Sequence, residues 1–177
     1  IAESLSWWHL VVPIQLSLGS ALASHEAHEQ AIACYRSAEK AATRCQTEGP
    51  LDVRAHAARL LLSCRMAHGA ALIGKGDWNA AGQMFEDTAP LASALADPRA
   101  ELDCHRLASL CLERQDRSAD AIAAGQRGLE VARAMDADTR AHSTFAYLGE
   151  TLVRLARGHA RPHRRRAIER DIETIAG

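Results

Sequence analysis

Aromatic side chains are scarce in this 177-residue sequence: three Trp, two Tyr and two Phe make up 4% of the chain. Alanine, in contrast, accounts for about one residue in five and far outnumbers the β-branched residues that favour strands. The hydrophobic content of 47% is sufficient for a substantial buried core at this length. The composition therefore predicts an all-α protein without a β-sheet.

Long apolar runs are missing as well. The most apolar stretch, Leu10 to Ala23, covers 14 residues and is interrupted by Pro13 and Gln15. Because a helix needs about 20 predominantly apolar residues to cross a bilayer, this stretch is too short to do so. The chain begins with Ile1 rather than Met, and we expect it to be a fragment or a processed piece.

The five cysteines form no C-x-x-C pair and show no clustered spacing. An odd number without such spacing favours reduced thiols in a helical core over a disulfide framework. Reduced thiols are typical of a reducing compartment, so we expect a cytoplasmic protein.

Neither sign of charge dominates, since the formal net charge is −1. Residues 1–153 carry 14 basic and 19 acidic side chains, a net −5, whereas residues 154–177 carry seven arginines and three acids, a net +4. We interpret the C-terminal arginines as a solvated helix cap, with an acidic protein as the next choice of partner and neither nucleic acid nor membrane favoured. They define a basic patch that consists of Arg157, Arg161, Arg164, Arg165 and Arg166.

The clearest local pattern is a tight turn between two helices. Gly76 and Asp77 interrupt the helical pattern, and Trp78, Ala81 and Phe85 follow at intervals of three to four residues. This spacing places the three apolar side chains on one face of a helix that begins near Asp77.

Similar patterns recur in both directions along the chain. The alanines at the predicted helix crossings, Ala31, Ala81 and Ala121, are separated by 50 and 40 residues. The third copy is weaker, because Gly125 and Gly128 occupy positions where an aromatic residue and an alanine would pack better. Since each hairpin buries only one face alone, the sequence predicts a stacked array of helical hairpins.

Breaking and capping residues predict the boundaries of these hairpins. Glu48-Gly49-Pro50 is the strongest breaker, and Asp52 is the expected cap of the helix that follows. Asp97-Pro98 combines a favoured N-cap residue with proline at the first helical position. We expect about seven to eight helices, arranged in hairpins at approximately 12–46, 51–96, 98–135 and 137–176.

The two ends of the chain are less regular. Pro13 either kinks one long helix or starts a new one, so residues 1–11 are a helix extension or the remnant of an upstream helix. Trp7 and Trp8 point about 100° apart on a helix, so an upstream repeat or self-association is needed to cover both. Near the other end, Asp136 or Asp138 is expected to open a helix that continues through Phe145.

These residues resemble the tetratricopeptide repeat family. Gly76-Asp77-Trp78-x-x-Ala81-x-x-x-Phe85, preceded by Gly69 and Leu72, is similar to a full consensus. Further copies are Leu18-Gly19 with Ala31-x-x-x-Tyr35-x-x-Ala38, then Leu107 to Ala132, and finally Leu148-Gly149-x-x-Leu152. The resemblance implies a right-handed superhelix, and repeats longer than the usual 34 residues resemble those of multidomain bacterial signalling proteins.

The resemblance also implies a binding groove, because family members hold peptides or protein segments against the first helix of each repeat. The Lys and Asn that clamp chaperone tails are replaced here by Leu16 and Ser20. Arg106, Arg114 and Arg154 are the expected charged anchors. The predicted groove residues, carried over one by one, are Leu16, Ser20, Ser63, Met66, Ala70, Ile73, Asp103, Arg106, Leu110, Glu113, Arg114, Glu150 and Arg154.

Metal-binding patterns are incomplete in this sequence. His25-x-x-His28 and Cys64-x-x-x-His68 each supply two donors, whereas a closed zinc site needs more. The string that begins at His25 has the wrong spacing for H-E-x-x-H. We expect no metal and no other cofactor.

Catalytic patterns are incomplete too. Gly74-Lys75-Gly76 lacks the longer glycine loop of a phosphate site and is interpreted as a turn. Ser37-x-x-Lys40 lies within a predicted helix without the companion motifs of a serine hydrolase. The sequence therefore predicts a protein that is not an enzyme.

The predicted function is a non-catalytic scaffold that binds a peptide or helical segment of a partner protein in the groove. One alternative is a sensor or regulatory arm of a larger bacterial signalling or transcriptional regulator. A second alternative is a nucleic-acid-associated helical protein that uses the basic patch.

Overall fold

The computed structural model describes residues 7–141, 144–159 and 162–176, and within them every regular element is an α-helix. This confirms the all-α prediction. We number the helices α1 (Trp8–Ser24), α2 (His28–Glu48), α3 (Leu51–Lys75), α4 (Trp78–Ala94), α5 (Pro98–Arg114), α6 (Ser118–Ala134), α7 (Ala137–Ala141), α8 (Phe145–His159) and α9 (Pro162–Ala176).

Aspartate caps begin three of the helical segments, as the sequence indicated. Asp77 accepts a hydrogen bond from the Ala80 amide at 3.1 Å, and Asp97 accepts one from the Ala100 amide at 3.0 Å. Asp136 accepts one from the Thr139 amide at 2.8 Å. Each bond satisfies a backbone amide of the first helical turn, for which the helix itself provides no carbonyl acceptor.

Four helix ends share one backbone geometry. After α1, α3, α4 and α5, one residue adopts a left-handed φ: Glu26 (60°), Gly76 (84°), Ala96 (52°) and Asp116 (59°). In each case the next residue donates its amide to a carbonyl five residues back, the hydrogen bond of a Schellman turn. The four bonds are Ala27 to Leu22, Asp77 to Leu72, Asp97 to Ala92 and Arg117 to Leu112, at 2.9–3.0 Å.

Two predicted boundaries need correction, and at the N-terminal end the structure agrees with one of the two alternatives, a helix extension. α3 begins at Leu51 with Pro50 as its N-cap, so Asp52 is not the cap residue. α1 begins at Trp8 and continues through Pro13, which makes residues 8–11 an extension of that helix. α2 runs to Glu48, slightly beyond its predicted end.

The predicted single helix after Asp136 is divided in two. α7 ends at Ala141 and α8 begins at Phe145, while residues 142 and 143 lie outside the described part of the chain. Just before α8, the Thr144 hydroxyl donates a 2.6 Å hydrogen bond to Asp103 of α5. This long-range bond joins the residue before α8 to α5.

The chain divides into two compact units within α4, the first ending at Met84 and the second beginning at Phe85. In the first unit α2 packs against both α1 and α3. Gly19 of α1 lies against the ring of Tyr35, where an added Cβ would be 2.6 Å from Cε1. The small residue therefore lets the aromatic ring close the α1–α2 interface, as the repeat pattern predicts.

In the second unit α6 packs against α5 and α8, and α9 packs against α8. Leu152 and Leu148 of α8 lie over Gly125 and Gly128, where added Cβ atoms would be 2.5 and 2.7 Å from the leucine methyl groups. The expectation that larger residues would pack better at these glycines is wrong, because the leucines already fill the space. Ala121 on the same helix is fully buried, as predicted.

Candidate partner-binding surface

The predicted groove residues all lie at least partly exposed to solvent. In the first unit they lie on α1 and α3, at Leu16, Ser20, Ser63, Met66, Ala70 and Ile73. None of these six lines the cavity of about 240 Å³ that α2, α3 and the start of α4 enclose around Glu29, Arg36 and His68. In this unit the predicted groove is thus an exposed surface separate from that cavity.

In the second unit the predicted residues on α5 and α8 form a cleft. Leu110, Glu113, Arg114 and Arg154 line a cavity of about 670 Å³, together with Asp116, Ser118 and Leu155. Four side chains from helices far apart in sequence are therefore brought to one place. We call this cavity the α5–α8 cleft.

A two-pronged ion pair joins the walls of the α5–α8 cleft. Both terminal nitrogens of Arg154 donate to the carboxylate of Glu113, one of them at 2.9 Å. This pairing raises the pKa of Arg154 above its usual value. Paired guanidinium and carboxylate groups of this kind fix geometry as well as charge.

Arg106 is the least accessible of the three expected anchors. About a quarter of its side chain is exposed, and its Nε lies 3.5 Å from Asp103. Nε itself is buried without a hydrogen-bond partner. Because Asp103 also accepts the Thr144 hydroxyl, the Asp103 and Arg106 side chains are tied to the packing between α5 and the start of α8.

A second, larger cavity of about 900 Å³ lies between α7, α8 and α9. It includes the predicted residues Glu150 and Arg154 and, from the basic patch, Arg157. The sequence did not indicate its apolar walls, although small residues at Ala146 and Gly149 on one face of α8 leave room for such a space. The complete lining is Ala137, Arg140, Phe145, Ala146, Gly149, Glu150, Val153, Arg154, Arg157, Ile172 and Ala176.

The basic patch is partly neutralised by one glutamate. Glu169 lies 3.3 Å from Arg165 and 3.8 Å from Arg157. Arg166 is exposed. Arg161 and the side chain of Arg164 lie outside the described residues.

No histidine or cysteine in the described part of the chain lines either of these two cavities of the second unit. His68 is buried and its Nδ1 lies 2.7 Å from Glu39, a pair that the sequence did not indicate. All five cysteines are free thiols, and burial raises the pKa of Cys64 to about 12. Among the described residues, no group of three His, Cys, Asp or Glu side chains is placed to hold a metal ion.

The described helices and their turns define an all-α protein with a helical-repeat fold of the α-solenoid type. None of the helices in the described residues combines the length and the apolar character required to cross a membrane. No protein-family model matches the sequence, and no curated protein matches it either.

Among solved structures, the chain is similar to the apo form of RapI, with a TM-score of 0.71 at 13% sequence identity. The match covers 94% of this chain and 56% of the RapI chain, so this chain spans little more than half the length of that protein. At this identity the similarity shows the helical-repeat fold. The resemblance to tetratricopeptide repeats remains an interpretation of the sequence copies described above.

Proposed function

We propose that this chain is a non-catalytic scaffold that binds a peptide or helical segment of a partner protein. The observation that carries the proposal is the α5–α8 cleft, in which four predicted groove side chains, Leu110, Glu113, Arg114 and Arg154, line one cavity. The similarity of the fold to RapI supports a helical-repeat protein of this kind. Free cysteines throughout the chain support a cytoplasmic setting.

The partner should contact both an apolar and a charged part of the cleft. Leu110 provides apolar surface, whereas Arg114, Arg154 and Glu113 provide charges of both signs. An amphipathic helix, or an extended segment in which apolar and charged residues alternate, matches such a surface. Because Arg154 pairs with Glu113, a partner meets these two charges as an ion pair and not as isolated groups.

The test is a pull-down from the source organism's lysate with three purified proteins of the full chain. They are the intact protein, the cleft variant Arg114→Ala/Arg154→Ala, and a control variant Arg44→Ala/Arg133→Ala. The control arginines are exposed and form ion pairs with Glu48 and Asp171, so both variants lose the same charge and comparable surface contacts. Arg106→Ala is tested separately, with a thermal melt to confirm folding, because this side chain is mostly buried.

A protein recovered by the intact and control chains but lost with the cleft variant supports the proposal. With that partner purified, we expect the cleft variant to bind about tenfold more weakly or worse, as is common for arginines at the centre of an interface. Equal recovery of one partner by all three proteins contradicts the cleft assignment. Recovery of nucleic acid alone, sensitive to salt and to replacement of Arg164 to Arg166, favours the nucleic-acid alternative.

A more specific form of this proposal is that the chain is a sensor or regulatory arm of a larger bacterial signalling or transcriptional regulator. It is supported by the similarity to a longer protein, since the match covers only 56% of the RapI chain. A nucleotide-binding or DNA-binding domain in the same full-length polypeptide would favour this form. A full-length product without any further domain would favour a free-standing adaptor.

A second candidate is self-association through α1. Trp7, Leu10, Val11, Ile14 and Leu18 are all exposed large apolar side chains, at intervals of one helical face. Trp8, in contrast, is partly buried against His56 of α3, with ring centroids 5.6 Å apart. Exposed apolar stripes of this kind mark interaction surfaces.

A further inference from the structure

We propose that a second copy of this chain packs its α1 into the cavity between α7, α8 and α9, so that copies associate head to tail. The proposal rests on the candidate self-association through α1 and names the surface that α1 contacts. We call the cavity, of about 900 Å³, the α7–α9 cavity. The α1 stripe is the set of exposed apolar residues Trp7, Leu10, Val11, Ile14 and Leu18.

The α1 stripe occupies positions that are buried in the next hairpin. α1 and α3 are the first helices of consecutive hairpins, and Ala31 and Ala81 set the register between these hairpins at 50 residues. In this register Ile14, which is 60% exposed, corresponds to Cys64, which is fully buried. The other stripe residues with buried counterparts are Trp7 (Ala57), Val11 (Leu61) and Leu18 (His68).

The buried counterparts show what covers such a face. His68 lies on the side of α3 that packs against the preceding hairpin, because its Nδ1 is 2.7 Å from Glu39 of α2. Leu18 also corresponds to Leu148 of α8, since both leucines are followed by glycine in the repeat pattern. Leu148 lies against Gly128 of α6, which is again the second helix of the preceding hairpin. The α1 stripe therefore has the positions of a face that packs on another hairpin.

The α7–α9 cavity has the position at which one hairpin receives the first helix of the next. In the α5–α8 cleft, Glu113 of α5 pairs with Arg154 of α8, so this face of α5 is turned towards α8. The predicted groove residues of α5 and α8 correspond at a spacing of 40 residues. The pairs, with the α8 member in the lining of the α7–α9 cavity, are Leu110 and Glu150, Glu113 and Val153, and Arg114 and Arg154. A helix in the cavity would thus lie on α8 as α8 lies on α5.

The polarity of the cavity fits an uncharged helix. Its apolar walls include Phe145, Val153 and Ile172, and α1 contains no Asp, Glu, Lys or Arg. Each arginine of the lining has a partner within this chain. These partners are the carbonyl oxygens of Ala132 and Met135 for Arg140, Glu113 for Arg154, and Glu169 for Arg157. Glu150 is exposed, where water can reach it. The α1 stripe therefore covers the walls without leaving an arginine of the lining unpaired.

The lengths of the two surfaces also agree. The α1 stripe runs from residue 7 to residue 18, about 16 Å along a helix, and the α8 wall runs from residue 145 to residue 157, about 18 Å. Ala146 and Gly149 are the small residues of this wall. They allow the close approach of a helix that Gly125 and Gly128 allow between α6 and α8.

The proposed contact joins two different surfaces. The α1 stripe of one copy meets the α7–α9 cavity of the next, which makes the contact heterologous. Because each copy carries both surfaces, association of the intact chain need not stop at two copies. A symmetric contact of α1 with α1 would stop at a dimer, so the two modes can be distinguished.

Sedimentation velocity of two charge variants of the full chain tests the proposal. Ile14→Glu disrupts the α1 stripe and leaves the cavity intact, whereas Ala146→Glu places the same charge in the cavity and leaves the stripe intact. Each variant alone should associate at least about tenfold more weakly than the intact chain, because docking would bury a charge. An equimolar mixture should form a complex of two 19.1 kDa chains and nothing larger, since one intact stripe and one intact cavity remain.

Three outcomes overturn the proposal. If Ala146→Glu alone associates as strongly as the intact chain, α1 pairs with α1, and self-association stands without the cavity. A mixture that contains only monomers rejects the head-to-tail contact. An intact chain that stays monomeric up to about 100 μM rejects self-association as well, and leaves both surfaces to helices of another protein or of a longer polypeptide. Neither substitution changes a residue of the α5–α8 cleft, so the pull-down tests the scaffold proposal separately.

A second cavity variant and a control complete the experiment. Val153→Glu should repeat the behaviour of Ala146→Glu, alone and in the mixture, and replaces it if a thermal melt shows that Ala146→Glu does not fold. Ala123→Glu adds the same charge at an exposed position of α6 outside the cavity lining. This control should associate like the intact chain, and equal weakening in the control and the cavity variants would overturn the assignment of the cavity.

Discussion

Gly125 of α6 lies directly against Leu152 of α8, so that a Cβ added to the glycine would be 2.5 Å from Cδ2 of the leucine. Leu152 is fully buried and has little space into which it can move. We therefore expect Gly125→Ala to destabilise the protein by about 1–2 kcal/mol, because crowding outweighs the higher helix propensity of alanine. Urea denaturation measures the change.

Gly158 provides the matched control on α8. It lies within the same helix as Leu152, and an added Cβ would have no neighbour within 4 Å. Gly158→Ala should therefore stabilise the protein by up to about 1 kcal/mol. If both alanine variants are stabilised, the close approach of α6 and α8 is not as described.

The helix turns could be predicted because their signals are local. Asp97 beside Pro98 specifies a helix start through short-range hydrogen bonding, and the structure confirms that bond to Ala100. The hydrogen bond from Thr144 to Asp103, 41 residues away, ties the start of α8 to α5 and could not be predicted from local signals. Local periodicity alone favoured one continuous helix.

His105 makes stability depend on pH. Burial, reinforced by the positive charge of Arg127, lowers the pKa of His105 from 6.5 to about 4. Between these values the unfolded chain binds a proton that the folded chain does not, so stability falls as the pH drops from 6.5 towards 4. His105 has no such effect above pH 6.5, where both states are neutral.

The measurement is urea denaturation of the intact chain and His105→Gln at pH 7.5, 5.5 and 4.5. By pH 4.5 the intact chain should lose up to about 2 kcal/mol more than the variant, because the imidazole is only partly buried. Other groups titrate equally in both proteins, so the difference isolates His105. Parallel pH profiles would contradict the burial of this imidazole.

Thiol reactivity should distinguish Cys34 from the other four cysteines. Cys34 is partly exposed, whereas Cys45, Cys64, Cys104 and Cys111 are buried. Burial raises the pKa of Cys104 to about 12 and that of Cys111 to about 11, which leaves little thiolate at pH 8. With an aromatic disulfide reagent, we expect one fast equivalent in the native state and five in urea.

Cys34→Ser should remove the fast equivalent and leave the slow ones. Any fast equivalent that remains in that variant would show that at least one of the buried cysteines is accessible. The reagent is added under non-denaturing conditions and followed by absorbance.

The exposed stripe on α1 predicts concentration-dependent self-association. Ile14→Glu places a charge in the centre of the stripe and should shift the protein towards the 19.1 kDa monomer. Gln30→Glu adds the same charge at an exposed position of α2 and should have no effect. Sedimentation velocity over a range of concentrations measures both, and an intact chain that stays monomeric throughout rejects the prediction.

The exposure of the predicted groove residues could be expected from the sequence, but their spatial arrangement could not. The exposure of Glu113 and Arg154 follows from their positions on amphipathic helices. Their pairing across α5 and α8 depends on tertiary packing that no spacing in the sequence encodes. The cavity between α7, α8 and α9 could not be predicted from the sequence either. Its walls come from three separate helices, and one of them, α7, ends at Ala141.

The Schellman turns contain positions at which a substitution could stabilise the protein. Glu26, Ala96 and Asp116 hold the left-handed φ that glycine adopts readily at Gly76. A residue with a Cβ destabilises the folded state by about 1–2 kcal/mol in that conformation. Glycine removes this strain but also increases the conformational entropy of the unfolded chain, so only part of the energy is gained as stability. Ala96→Gly should therefore raise the free energy of unfolding by about 0.5–1 kcal/mol. Because Ala96 lines neither cavity of the second unit, this change strengthens the end of α4 without altering them.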